Sequence, residues 1–241
     1  MHRRLRWALA GIALLALGLG CGGEQAPDER VEPEEGPGGE RAQDRQRYRW
    51  GAGPICIDPG HGGRDSGTVG GDGAVEKEIT LDIARRVRQG LEAAGAAVVM
   101  TRTDDGFVAL GRRAAICNEA HAGLFVSIHV NGYHTPDVYG FEVYYLGDGS
   151  LPEAGRAAEA IRRALYETLD TRDRGVRQAD FSVLSAANCP AVLVEVGYLS
   201  NPDERDHLML GAYRQAIADA TVAGILAFGT DTTGTLHEEQ P

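Results

Sequence analysis

The sequence predicts an α/β fold: one domain built on a mainly parallel, mixed sheet of about six strands, with helices on both faces. Three observations predict it. Short apolar runs of strand length alternate with stretches whose apolar residues recur every three or four positions. Glycine and proline punctuate the boundaries, as at Pro59-Gly60 and Gly95. All of this falls in one region, residues 50–228, which is long enough to bury a sizeable core and shows no internal repeat.

Residues 54–58 read as a short apolar strand that stops at Pro59-Gly60. From Glu76 the period changes: Ile79, Ile83, Val87 and Leu91 draw one stripe down a helix that ends near Gly95. Residues 96–100 read as the second strand, 110–120 as the second helix and 124–129 as the third strand. Over 140–145, Phe141, Val143 and Tyr145 alternate with Glu142 and Tyr144, the pattern of a strand with one solvent-facing side. A helix over 152–169 places Ala154, Ala158, Ile161, Leu165 and Leu169 on one face. The runs 182–184 and 191–196 read as strands, and a helix over 215–228 closes the domain. In such sheets, functional residues gather beyond the carboxyl ends of the strands.

The flanks are of another kind. Arg3, Arg4 and Arg6 precede an apolar run over residues 7–20, and Cys21 follows at once. A basic start and an apolar stretch too short to span a bilayer comfortably form an export signal. The order Leu17-Gly18-Leu19-Gly20-Cys21 resembles a bacterial lipoprotein signal, although Gly18 stands where such signals favour leucine. That resemblance implies a signal at 1–21 and a lipid anchor to a membrane at Cys21; a secreted chain without the lipid is the alternative. The expected location is the cell envelope: periplasmic, or anchored in the outer membrane. Residues 24–47 hold eight acidic and four basic residues, Pro27, Pro33, Pro37 and almost nothing apolar. Residues 22–49 therefore read as a disordered acidic linker, and 229–241 as a disordered tail.

The formal net charge of −11 argues against a nucleic-acid partner, which recruits basic patches. Beyond Cys21, the cysteines are Cys56, Cys117 and Cys189. No CxxC spacing marks a thiolate metal site, and an odd number allows at most one internal disulfide, whose existence the sequence leaves open.

The strand ends carry the chemistry. The first strand runs into Asp58-Pro59-Gly60-His61-Gly62-Gly63, and Glu76-Lys77 opens the following helix. The third strand holds Ser127-Ile128-His129-Val130-Asn131, and the last reaches Glu195 inside an apolar run. Each has a bland reading when taken singly: His61 as a turn residue, His129 as a hydrogen-bonded core histidine, Glu76 as a helix-start acid, Glu195 as an edge-strand residue turned to water. Together they place two imidazoles and two carboxylates at one end of one sheet. Two histidines and one carboxylate suit a catalytic zinc, which keeps its fourth position open for water. The remaining carboxylate can then move protons.

The series I-D-P-G-H-G-G, E-K, S-I-H-V-N and P-A-V-L-V-E-V-G-Y-L-S-N resembles the zinc-dependent N-acetylmuramoyl-L-alanine amidases of bacterial cell walls, of the amidase-3 type. The resemblance implies one Zn2+ per chain, held by His61, Glu76 and His129, with Glu195 as the catalytic carboxylate. It also implies a substrate, peptidoglycan, cut at the amide between N-acetylmuramic acid and L-alanine by zinc-activated water. Also similar are Thr101-Arg102, Arg174-Gly175-Val176 and Asn201-Pro202, whereas Ser185 stands where many relatives carry arginine. Regulated relatives insert a helix that plugs the site between the strand at 140–145 and Arg174. Here residues 147–173 hold little beyond one amphipathic helix, so a monomer that needs no protein activator is expected. The metal set alone leaves open a zinc peptidase or deacetylase acting on another bond of the polymer, or a catalytically inactive wall-binding protein. His121, His134, His207 and His237 read as incidental.

Overall fold

The computed structural model of the chain describes residues 53–147 and 149–234. The expected signal with Cys21, the linker at 22–49 and residues 235–241 lie outside the described residues. The elements follow in the order β1 (Ile55–Pro59), α1 (Glu76–Ala93), β2 (Val98–Met100), α2 (Leu110–Glu119), β3 (Leu124–Asn131) and β4 (Phe141–Tyr145). Then come α3 (Pro152–Thr168), β5 (Asp173–Gln178), α4 (Ser182–Ser185), β6 (Ala191–Tyr198), α5 (Pro202–Met209) and α6 (Gly211–Gly234).

The strands form one sheet in the order β2-β1-β3-β6-β4-β5. Strands β2, β1, β3 and β6 are parallel; β4 runs antiparallel to β6, and β5 parallel to β4. One face is covered by α1, α3 and α6. There Ile79, Ile83, Val87 and Leu91 of α1 join Ile161 and Leu165 of α3 and Ile217, Ile225 and Phe228 of α6 in the main core. The other face carries the shorter α2 and α4, which pack Cys117, Val183 and Leu184 over Phe125, Ala191 and Leu193. Side chains alternate along a strand, so Phe125, Ser127 and His129, and likewise Ala191, Leu193 and Glu195, point toward this thinner layer. Its helices are 10 and 4 residues long, and His129 and Glu195 keep partial exposure beyond them. The carboxyl ends of β1, β3 and β6 are thus left partly uncovered by helix.

A disulfide joins Cys56 of β1 to Cys117 of α2 across 61 positions, and Cys189 is free and buried. Burial pushes the Cys189 thiol up to about 12, which leaves it unreactive near neutrality. Closing a loop of this length stabilises the fold by about 4 kcal/mol in the chain-entropy treatment. Cys117→Ala is therefore expected to lower the denaturant midpoint, and reductant should shift the wild type but not the variant. Equal midpoints with and without reductant would show that the bridge contributes nothing.

Four expectations need correction. The run 182–184 is one turn of helix, α4, because Leu184 N–H donates to the Phe181 carbonyl 2.8 Å away rather than to a strand. The fifth strand is instead Asp173–Gln178, a polar edge strand containing Arg174-Gly175-Val176. Glu142, expected to face solvent, is 1 % exposed, because arginines from β5 reach over it. The closing helix begins at Gly211 and continues to Gly234, so the expected boundary at Phe228 falls inside it; propagation of a formed helix is favourable per residue. Among the smaller differences, α2 ends at Glu119, leaving His121 in a turn at φ 50°. His207 lies in the last turn of α5, whose first turn is acidic.

Candidate metal centre

The loop after β1 positions the first histidine. His61 has φ 60°, a left-handed conformation that costs a non-glycine residue of order 1 kcal/mol. What holds it is a pair of arginines gripping main-chain carbonyls. Arg113 of α2, 2 % exposed, donates to the carbonyls of Pro59 (2.7 Å), His61 (2.7 Å) and Val108 (3.0 Å). Arg102 donates to the carbonyls of Pro59 (3.0 Å), Gly60 (2.8 Å) and Lys77 (2.8 Å). The charge of Arg113 is met by Asp58, fully buried at the end of β1, at 2.8 Å. Asp58 also accepts from the hydroxyls of Thr101 and Ser127.

The glycines of this loop answer to space. A Cβ on Gly60 would lie 2.4 Å from Cε1 of His129. One on Gly67 would lie 2.6 Å from both Glu76 Oε2 and the His61 ring, at a φ of +65°. The glycine-rich stretch is thus what lets the loop fold onto the site.

His61, Glu76 and His129 meet there, with one candidate ligand atom from each lying within 4.8 Å of the others. Glu76 Oε1 sits 3.2 Å from His61 Nε2 and 3.0 Å from His129 Nδ1. Glu76 is fixed further by the N–H groups of Thr68 (2.8 Å) and Val130 (2.9 Å). Burial pushes the Glu76 carboxyl up, but hydrogen bonds with His129 and His61 outweigh this and hold it well below the usual carboxylate range. Burial disfavours the charged His61 ring, yet contacts with Glu76 and Asp65 raise its proton affinity overall. His61 Nδ1 lies 2.8 Å from Asp65 Oδ2, which leaves Nε2 to face the centre. A divalent cation would make the same contacts in the proton's place, so the donor set fits a metal.

Glu195 lies across the β3–β6 pairing, directly opposite His129. Its Oε2 is buried without a hydrogen-bond partner. Burial pushes its carboxyl well above the usual range, and the charges of Glu76 and Glu142 push the same way. The fold therefore gathers His61, Glu76 and His129 and sets Glu195 on the neighbouring strand beside His129. Sequence reasoning missed Glu142, Asp58 and Arg113. Glu142 pairs with Glu195 across the β4–β6 register. A buried acid was legible there only from β5, which its polar residues disguised.

The sequence profile of the family described as N-acetylmuramoyl-L-alanine amidase matches residues 55–227. The chain belongs to that family. It is 42% identical over 173 residues to the N-acetylmuramoyl-L-alanine amidase LytC of Bacillus subtilis, covering 70% of this chain and 35% of LytC. To the N-acetylmuramoyl-L-alanine amidase AmiA of Escherichia coli it is 29% identical, covering 91% of this chain and 89% of AmiA. Among solved structures, the amidase AmiC2 of Nostoc punctiforme superposes with a TM-score of 0.68 at 40% identity, covering 72% of this chain and 95% of AmiC2. The six-stranded mixed sheet is thus an amidase catalytic domain, and the chain is an enzyme of this family. Its Thr101-Arg102 motif supports the site from behind, since Thr101 bonds Asp58 and Arg102 grips the loop before His61. Asn201 caps α5, accepting from the Glu204 N–H at 3.0 Å.

Proposed function

We propose that this amidase holds one zinc ion through His61, Glu76 and His129, and hydrolyses the amide between N-acetylmuramic acid and L-alanine in peptidoglycan with Glu195 as general base and acid. The observation that carries the reading is the convergence of His61, Glu76 and His129, with Glu195, the residue paired with His129, holding one oxygen buried and unpartnered. Zinc in that place would supply a Lewis acid that polarises the carbonyl and acidifies water. Glu76 stays anionic there and offsets part of the cation's charge. Asp65 orients His61, and the two arginines keep the His61 backbone in its strained conformation. Glu195, whose proton affinity is raised, takes the proton of the attacking water and passes it to the leaving nitrogen.

The same reading extends to control and location. Helix α3, the one helix between β4 and β5 among the described residues, packs on α6, away from the Glu195 side; this supports activity without an activator. The Cys56–Cys117 bridge suits an oxidising compartment and so supports export, with an anchor at Cys21.

The test uses the purified protein on isolated sacculi with no added partner. Intact stem peptides with free L-alanine amino termini are expected, lost on chelation and restored by zinc. Cleavage between amino acids would instead favour a peptidase, and no release at all would overturn the activator-free reading.

A further inference from the structure

The sheet face that carries Glu195 continues past it. β4 sets Glu142 opposite Glu195, and β5 sets Arg177 beside Tyr144. Glu142 is the pivot of this region. Its Oε1 accepts from the hydroxyl of Tyr198 and from Asn131 Nδ2 at 3.2 Å. Its Oε2 lies 2.9 Å from Arg177 Nε, and its Oε1 lies 3.7 Å from Arg174 Nε. Two guanidinium groups thus meet one carboxylate on the β5 side of Glu195.

The two arginines differ in what they have left to offer. Arg174 is fixed: its Cζ lies 5.3 Å over the Tyr198 ring, and it donates to the Tyr139 carbonyl at 3.3 Å. Arg177 is 48% exposed, and its Nε is the atom that the Glu142 carboxylate meets at 2.9 Å. Its outer N–H groups make no hydrogen bond among the described residues. A planar guanidinium held by one edge, with the other edge open, is arranged to take a carboxylate in two parallel hydrogen bonds.

We infer that Arg177, seated on Glu142 and flanked by Arg174, binds a carboxylate of the stem peptide on the amino-acid side of the cleaved amide. The inference rests on the amidase reading above. On the sugar side of that amide, the muramic acid carboxyl is already used up in the bond. The peptide side is where free carboxylates lie. Adjacent strands lie about 4.8 Å apart, and Arg177 is level with Leu193, two residues along β6 from Glu195, so its Cα lies roughly 12 Å from that of Glu195. An extended chain advances about 3.4 Å per residue. With the arginine's own reach, the second stem residue is the one whose carboxylate comes into range.

The experiment compares two soluble muramoyl peptides identical except at that residue, which carries either a free α-carboxylate (isoglutamate) or a carboxamide (isoglutamine). The wild-type enzyme is expected to favour the carboxylate by about tenfold in kcat/KM, mostly through KM. Arg177→Gln should bring that ratio close to one, and Arg177→Lys should restore part of it. Equal use of both substrates by the wild type overturns the subsite while leaving the amidase reading intact, and needs no variant to fold. A preference that survives in Arg177→Gln overturns it as well. A wild type that cuts neither substrate overturns the amidase reading, and the subsite with it.

Discussion

Glu195→Gln is expected to lower kcat about 10²–10⁴-fold, the range lost when a positioned proton-transfer group is removed. The variant should still bind one zinc per chain, because His61, Glu76 and His129 form the donor group without it. Its stability should hold or rise. Glu195 is a carboxyl buried near Glu76 and Glu142 with one oxygen unpartnered, and the neutral isostere removes that repulsion at constant volume. Such a trade of stability for function is common where a site demands an unfavourable group. Turnover on a soluble muramoyl peptide, metal content and thermal midpoint give the three readings. Turnover within a factor of ten of wild type would remove Glu195 from the proton path.

The largest stability effect should come from Arg113→Met. Asp58 and Arg113 pair at 2.8 Å with side chains 0% and 2% exposed, so removing the cation strands a buried carboxylate. Breaking one partner of a buried pair costs about 3–5 kcal/mol. The double variant Arg113→Met/Asp58→Asn should recover part of that loss, since no uncompensated charge is left. Neither variant restores the bonds to the carbonyls of Pro59 and His61. Zinc affinity should therefore fall in both, by about 10–100-fold as for other groups that orient ligands. Denaturant unfolding and zinc titration measure the two effects separately. A single-variant loss below about 1 kcal/mol would mean that the pair carries no such burden.

Much of this was legible in the chain, and the parts that were not share a cause. The α1 stripe of Ile79, Ile83, Val87 and Leu91 is fully or nearly fully buried as its spacing implies. Strands β1, β3 and β6 could be read because central parallel strands are apolar on both faces. His61, His129 and Glu195 stood out because metal-ligand and proton-transfer residue types interrupted or followed those strands, and Glu76 because it opened the helix after the glycine-rich loop. β5 escaped notice because an edge strand tolerates charge, and Asp173-Arg174-Gly175-Val176-Arg177-Gln178 has little else. With β5 unrecognised, Glu142 was expected to face solvent, since the arginines that cover it were not yet strand residues. The Asp58–Arg113 pair spans 55 positions. An arginine beside another in a short helix carries no mark of what it will meet at that distance.

The arginine grip on the His61 loop acts on peptide oxygens rather than on side chains. Main-chain acceptors are the same whatever residue supplies them, so this form of anchoring is blind to spelling within the loop itself. Drift at neighbouring sites such as Arg64 or Ser66 can alter the rim without unfastening the histidine. Apart from Gly60, Gly67 and Asp65, the intolerance is exported to Arg102 and Arg113, more than forty positions downstream. Mutational scans should find the hinge of this site in a second helix that carries none of the four metal-site and proton-transfer residues.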